Sequence, residues 1–418
     1  MSLSSTRDHS LTVSGTANSN VVPFIDPGHA ESGAHGRTHR AALEPSDQVL
    51  VHVVGTRPNF VKMAPIVTAL ERRGAFRQVI VHTGQHYDAR LSDEVLADLD
   101  FPPVNYFLGV GSGSHGEQTA KVIAAFEDVL LEERPVAVVV AGDVNSTLAC
   151  ALVAAKLGIP VAHVESGLRS GDWTMPEEVN RVLTDALSDL LFTHSPEGAT
   201  NLAAEGIGHG RVHYVGNTMI DSLRRCERRA RTRAAWNSAG VREREYILVT
   251  LHRPSNVDEP EQLARIVDGL LDLAERHPVV FPIHPRTRAR LAGTGALDRL
   301  EAAGVRCIEP QGYLDFLSLQ SGAGAVLTDS GGVQEETSAL GVACFTLRPN
   351  TERPVTISHG TNLLLGDDAS LIATVEPPSW APTPSAIPLW DGHAAERVAD
   401  VLVANYAMRL LAPVAASA

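Results

Sequence analysis

The stretch Asp329-Ser330-Gly331-Gly332-Val333-Gln334-Glu335-Glu336 decides how the chain is read. It follows an apolar run, Ala325 to Leu327, that has the character of a buried parallel strand. Ser330, Gly331 and Gly332 form a turn, and a helical pattern begins at Val333. A strand that ends in Ser-Gly-Gly and opens a helix is a phosphate cradle. The glycines let backbone N–H groups approach an anion, and the helix N-terminus adds partial positive charge. Glu335 and Glu336 lie one turn in, where carboxylates would repel phosphate. At least one must face elsewhere, and a ribose diol is the natural partner. An ordinary strand–turn–helix corner is the competing reading of this stretch alone.

Working outward, the same grammar recurs. Apolar runs at Val49–Val54, Gln78–Thr83, Val136–Val140, Val161–Val164, Leu190–Thr193 and Val212–Val215 alternate with helical patterns. After a charged segment, Arg224 to Glu245, a second series follows at Tyr246–Thr250, Val279–Ile283, Val305–Ile308, Ala325–Leu327 and Val342–Thr346. Strands alternating with helices predict parallel sheets covered on both faces. The fold class is therefore α/β, with two doubly wound, Rossmann-like domains facing a central cleft. Residues 1–46 are expected to be a disordered tail that contributes nothing to the fold. The first domain is set at 47–222 and the second at 223–391. An amphipathic helix from about Gly392 to Leu411 follows. The charged segment itself reads as a solvated surface helix plus linker.

Composition narrows the function. The 418 residues carry a formal net charge of -14, which argues against nucleic acid or an anionic membrane as partner. No run of about 18 apolar residues marks a membrane span. Cys150, Cys226, Cys307 and Cys344 are widely spaced and form no CxxC pair, so they read as core thiols in a reducing cytoplasm. The tail histidines His9, His29, His35 and His39 fit no metal-site spacing. Gly109 to Gly116 is glycine-rich, but no long strand and no ribose-binding acid support a dinucleotide site; a loop at the cleft is expected there.

The chemistry-bearing residues fall at strand carboxyl ends, where open α/β sheets bind ligands. In the first half these are Arg57, Lys62, Asp143, Glu165 and, slightly later, Glu177. In the second they are His252, Arg253, Arg286, Ser330 and Glu336. One half offers carboxylates and two cations, the other a phosphate cradle and a histidine. That division suits an activated sugar held by its diphosphate.

At these residues the chain resembles the non-hydrolysing UDP-N-acetylglucosamine 2-epimerases. The resemblance rests on GTRPNFVKMAP (Gly55–Pro65), GDVNSTLA (Gly142–Ala149), HVESGLRSGD (His163–Asp172), PEEVNR (Pro176–Arg181), VGNTMID (Val215–Asp221), DSGGVQEE and TERPVT (Thr351–Thr356). It implies the glycosyltransferase-B architecture, with the C-terminal helix, residues 392–418, crossing back to the first domain. It implies interconversion of UDP-GlcNAc and UDP-ManNAc by a cytoplasmic homodimer that needs no cofactor and no metal. The roles it implies are catalytic for Asp143, Glu165, Glu177, His252 and Lys62. Substrate contacts are implied for Arg57, Lys62, His252, Arg253, Ser330, Gly331, Gly332 and Glu336. Asn59 stands where many relatives carry Glu, and Ser166 where Ala is usual. Gln85 and His284 match parts of a regulatory nucleotide-sugar site, while Asp88 and Pro254 depart from it, so regulation by substrate is expected to be weak or absent. Three competitors remain: a glycosyltransferase with the same cradle, a hydrolysing epimerase (disfavoured by Pro58), and a UDP-sugar-binding regulator without catalysis.

Overall fold

The computed structural model describes residues 22–23, 48–85, 89–379, 383 and 386–407. The strands are β1 Val22–Pro23, β2 Val49–Val54, β3 Arg77–His82, β4 Tyr106–Phe107, β5 Ala137–Ala141, β6 Val161–Val164, β7 Leu190–Thr193 and β8 Val212–Tyr214, then β9 Ile247–Thr250, β10 Val279–Pro282, β11 Arg306–Ile308, β12 Ala325–Thr328, β13 Ala343–Thr346 and β14 Asn362–Leu364. The first set makes one sheet in the order β1-β4-β3-β2-β5-β6-β7-β8, the second another in the order β11-β10-β9-β12-β13-β14. All pairs but one are parallel; β1 runs antiparallel to β4. Each sheet thus follows doubly wound order, and each has one place where the winding reverses: between β2 and β5, and between β9 and β12. The two doubly wound sheets are those expected from the strand pattern, and together they make the glycosyltransferase-B type of fold that the resemblance implies.

Seven helices matter for the site: α1 Arg57–Arg73, α2 Asn145–Lys156, α3 Pro176–Leu187, α4 Thr218–Arg233, α5 Tyr313–Gly322, α6 Gly331–Leu340 and α7 Ala394–Leu402. Pro58 and Pro176 occupy first-turn positions, where a missing N–H costs nothing. Gly74 closes α1 in the left-handed conformation at φ 60°.

Two expectations need correction. The tail is not wholly apart from the fold: Val22 and Pro23 pair with Phe107 and Tyr106 at the sheet edge, where a proline without an N–H donor is tolerated. The rest of the tail, with its four histidines, lies outside the described residues, as do Asp88 and residues 408–411. The charged segment is also more than a solvated helix. Although α4 is rich in arginine, its face of Leu223, Cys226 and Ala230 is buried in the apolar cluster that joins both sheets. There α4 packs on α1 from one side and on α5 from the other. A charge-dense sequence hid this because long arginine stems reach solvent while the short residues between them pack.

The last helix, α7, packs on α1 beside the first sheet. Its entry is fixed by Asp221 of α4, whose carboxylate accepts the N–H groups of Ala394 at 3.2 Å and Ala395 at 2.6 Å. An acid on one helix therefore satisfies the free amides of another. Asp221→Ala leaves those buried donors unpaired and is expected to cost about 1–3 kcal/mol. Hydrogen exchange at 394–402 should speed up well before that of β2; unchanged protection would contradict the assignment.

Candidate active site

The two winding reversals face each other, and the polar loops that leave them build the site. At the first, β2 runs into Gly55 and Thr56. A Cβ at Gly55 would lie 2.6 Å from Thr83 Oγ1, so only glycine fits. Asn59 then ties the loops together. Its Oδ1 accepts from the Gly55 and Thr56 amides at 3.1 and 3.0 Å, and its Nδ2 donates to the Ala141 carbonyl at 2.8 Å. A glutamate could make the first contacts but has no donor for the second. This gives the unusual residue a structural role.

One turn into α1, buried Lys62 pairs directly with Glu165. Glu165 follows β6 with φ 67°, a left-handed conformation that costs a non-glycine residue roughly 1–3 kcal/mol. Its other oxygen receives Arg353 Nη2 at 3.0 Å. Burial favours the neutral acid, but Lys62 and Arg353 outweigh it and hold the carboxyl below its usual range. Asp143 follows β5 and accepts from Arg181 Nη2 at 2.5 Å.

At the second reversal, buried Asp329 organises the loop after β9. It accepts the backbone amides of His252 and Arg253 at 3.0 and 2.9 Å, Asn256 Nδ2 at 3.1 Å, and pairs with His252 Nδ1 at 3.1 Å. Desolvation opposes charge on the imidazole, yet the Asp329 bond prevails and raises its pKa. Asp329 thereby fixes which ring nitrogen of His252 is left for the cleft.

The turn after β12 opens a helix as its sequence suggests, two residues earlier than the Val333 start read from the pattern. Helix α6 starts at Gly331, and the Ser330 hydroxyl makes no capping bond. A Cβ on Gly331 would lie 2.4 Å from Arg353 Nη1, so the absent side chain lets a guanidinium sit over the helix N-terminus. Arg353 is the hub of the site. Besides Glu165 it pairs with Glu335 at 3.0 Å and Glu352 at 3.5 Å. Glu335 also faces His194 at 3.0 Å, and Glu352 faces Arg348 at 2.8 Å, Arg253 at 3.4 Å and Arg181 at 3.7 Å. One ion network therefore runs from Asp143 through Arg181, Glu352 and Arg353 to Glu165 and Lys62, joining the two sheets. The two adjacent acids of the motif diverge as expected. Glu335 turns to Arg353 and His194, while Glu336 bonds Gln320 Nε2 at 2.6 Å on the α5 side. Burial pushes the Glu336 carboxyl up to about 7.

Of the residues singled out from sequence, Lys62, Asp143, Glu165, Arg253 and Ser330–Gly332 are brought together. Arg57 lies apart, its Nη1 on the Gln311 carbonyl at 3.2 Å and its guanidinium 5.9 Å from the Phe316 ring centre, at the Glu336 end of the cleft. Glu177 is exposed on the first turn of α3 and has no polar partner among the described residues. Its neighbour Glu178 is buried and holds Arg181 at 2.8 Å. Arg286 pairs with Asp258 away from this network. The loop after β4, Gly109 to Ser114, leads into a helix whose His115 and Gln118 reach Asn145 at 3.1 and 2.9 Å, so it borders the Asp143 loop. Arg353, Glu352, Arg181 and His194 were not singled out, and Asp329 and Glu335 were read only as parts of the motif. Glu352 and Arg353 lie in TERPVT and Arg181 in PEEVNR, so the motifs were visible although the contacts these residues make were not.

Two parallel doubly wound sheets, a phosphate-type helix terminus and a facing carboxylate–cation cluster define a nucleotide-sugar enzyme of glycosyltransferase-B architecture. The sequence matches the family model described as UDP-N-acetylglucosamine 2-epimerase over residues 68–403, and the chain belongs to that family. It is 45% identical over 358 residues to the UDP-N-acetylglucosamine 2-epimerase of Methanocaldococcus jannaschii, covering 84% of this chain and 97% of that one. It is 40% identical over 327 residues to the UDP-2,3-diacetamido-2,3-dideoxy-D-glucuronate 2-epimerase of Pseudomonas aeruginosa, covering 77% and 90%. The crystal structure of the M. jannaschii enzyme in complex with UDP-GlcNAc and UDP superposes with a TM-score of 0.80 at 43% identity, covering 85% of this chain and all of that one.

Proposed function

We propose that the protein interconverts UDP-N-acetylglucosamine and UDP-N-acetylmannosamine without hydrolysis. The observation that carries the reading is the meeting of the α6 N-terminus and Arg353 with the Lys62–Glu165 pair: an anion site and a proton-transfer site in contact. UDP is held by the second sheet, its diphosphate on Ser330, Gly331 and Gly332 and its ribose on Glu336, with Arg57 beside the nucleotide. A carboxylate takes the proton from carbon 2 as the bond from carbon 1 to the diphosphate oxygen breaks. The C–H electron pair becomes the carbon 1–carbon 2 double bond of 2-acetamidoglucal, and the C–O pair leaves with UDP. UDP then re-adds at carbon 1 while an acid on the opposite ring face returns a proton to carbon 2. Two faces require more than one acid. Glu165, kept ionised by its two cations, enters as a base; Asp143 and Glu177 are the other acids. Lys62, Arg253 and His252 face the departing diphosphate, whose charge is stabilised by cations and the helix terminus. We place the enzyme in the cytoplasm as a homodimer; four free cysteines fit a reducing compartment.

The deciding experiment supplies UDP-GlcNAc with no acceptor. Formation of UDP-ManNAc supports the reading. Free sugar would indicate hydrolysis, and inertness without an acceptor would favour a transferase. UDP-2,3-diacetamido-2,3-dideoxy-D-glucuronate in a parallel reaction fixes the sugar preference; faster turnover there would displace UDP-GlcNAc as the substrate.

Glu336 makes UDP affinity pH-dependent. The ribose diol donates to the ionised carboxylate, whereas the buried acid, titrating at about 7, is protonated below that value. Affinity should therefore fall as pH drops from about 8 to 6, with proton release on binding. The nucleotide's own phosphate titrates in the same range, so Glu336→Gln is the comparison. That variant should bind roughly ten- to a hundredfold more weakly at pH 8, the size of a lost bond to a charged group, and should lack the extra proton release. Equal proton release by both proteins in calorimetry would remove Glu336 from the ribose.

A further inference from the structure

Below the catalytic loops lies a buried pair that the reaction scheme does not use. His163, on β6, and Asp185, on α3, are both fully buried, with Nδ1 and Oδ1 2.6 Å apart. The other ring nitrogen, Nε2, lies 2.8 Å from the Gly142 carbonyl. A carboxylate and a carbonyl can only accept, so the ring serves both contacts only by donating from both nitrogens. The second oxygen of Asp185 accepts the Gly167 amide at 3.0 Å and pairs with Arg169 at 2.8 Å. His163 and Arg169 together hold the Asp185 carboxyl below its usual range against the cost of its burial.

The places gripped are telling. The Gly142 carbonyl belongs to the peptide that leads into Asp143, and Gly142 has φ 70°. The Gly167 amide closes the turn that holds Glu165 in its left-handed conformation. Gly167, at φ 78°, meets Gly198 so closely that a Cβ would lie 2.4 Å from its carbonyl oxygen. Helix α3 supplies the rest of the grip. Asn180 Nδ2 donates to the Asp143 carbonyl at 2.9 Å, and Arg181, one turn before Asp185, donates to the Asp143 carboxylate. One helix thus holds both acid-bearing loops.

We propose that His163 and Asp185 form a positioning unit that sets the relation of Asp143 to Glu165 without touching substrate. It rests on the assignment of those two acids to proton transfer at carbon 2. Elimination followed by re-addition needs a proton removed on one face and another delivered on the opposite face before the glycal escapes. A shift of either loop slows one transfer relative to the other, and a displacement of about 1 Å can cost on the order of a hundredfold in rate. The consequence is specific: released UDP and 2-acetamidoglucal should accumulate relative to epimer.

The test uses the full-length enzyme and His163→Phe, which keeps ring volume but removes both donors, with Asp185→Asn as a milder second variant. The wild-type reaction first establishes epimerisation; its failure would sink the functional reading and not this one. Given wild-type turnover, His163→Phe should lose about tenfold to a hundredfold in kcat. It should keep UDP affinity, because the nucleotide sits on the other sheet, and should release a larger fraction of glycal per turnover. Asp185→Asn should show the same leakage in smaller measure. Nitrogen-15 NMR of the wild-type protein, assigned through His163→Phe, should show two protonated ring nitrogens. An unprotonated nitrogen, unchanged partitioning in both variants, or equal losses of UDP affinity and kcat would each overturn the proposal.

Discussion

Glu165→Gln is expected to lower kcat by about 10²–10⁴-fold, the usual worth of a general acid–base group, while leaving UDP affinity intact or tighter. The direction of the second effect follows from the network. Glu165 neutralises Lys62 and part of the Arg353 charge in the free enzyme, and an amide frees Lys62 for the diphosphate while Arg353 keeps Glu335 and Glu352. A loss of turnover with retained nucleotide binding separates the proton-transfer half of the site from the anion-binding half. Asp143→Asn should act alike on turnover, though Arg181 loses one of its charged partners and some stability goes with it. Steady-state kinetics with calorimetry of UDP check both. A Glu165→Gln enzyme that keeps more than a tenth of wild-type kcat would remove this residue from the chemistry.

Arg353→Met carries the largest expected cost in stability. It leaves Glu165, Glu335 and Glu352 buried without their shared cation, and breaking a buried pair from one side costs about 3–5 kcal/mol. The pH dependence has a definite sign. These three carboxyls lie below their ordinary value of 4.5, so their contribution is complete above about pH 4.5 and is lost as pH falls through their lowered values. The deficit of the variant should shrink between pH 7 and pH 4, because the acids deprived of Arg353, although each keeps another partner, can take up protons. UDP binding should fall at least tenfold, as a charge-assisted contact at the cradle is gone. Arg353→Lys should recover little, since one ammonium cannot serve three carboxylates through a planar fork. Urea denaturation at the two pH values decides it; near-wild-type stability at pH 7 would show that the network does not hold the sheets together.

The architecture was legible because each strand is a short apolar run and each loop after it is polar. All eleven runs read from sequence match a strand to within one residue at each end, and Val49–Val54, Val161–Val164 and Leu190–Thr193 match at both ends. The short strands Tyr106–Phe107 and Asn362–Leu364 were missed because two or three residues carry no period. The site was legible where chemistry needs a rare pattern, as at Ser330-Gly331-Gly332. It was illegible where an ordinary residue acquires its role from burial. Nothing in the sequence separates Glu178, buried and paired, from exposed Glu177, or marks Arg353 as the hub of three carboxylates. Such roles depend on contacts between residues up to 188 positions apart. Asp329 shows the intermediate case: it opens the motif that was read, yet its work is to hold the His252 loop.

The account's central claim is that UDP leaves and returns while carbon 2 changes its proton. UDP-GlcNAc should be incubated with the wild-type enzyme alone in heavy water, and the early UDP-ManNAc examined by NMR and mass spectrometry. Elimination and re-addition through exchanging acids predict one solvent deuterium at carbon 2 of the product and none elsewhere on the ring. UDP-ManNAc that keeps its original hydrogen at carbon 2 would contradict that path.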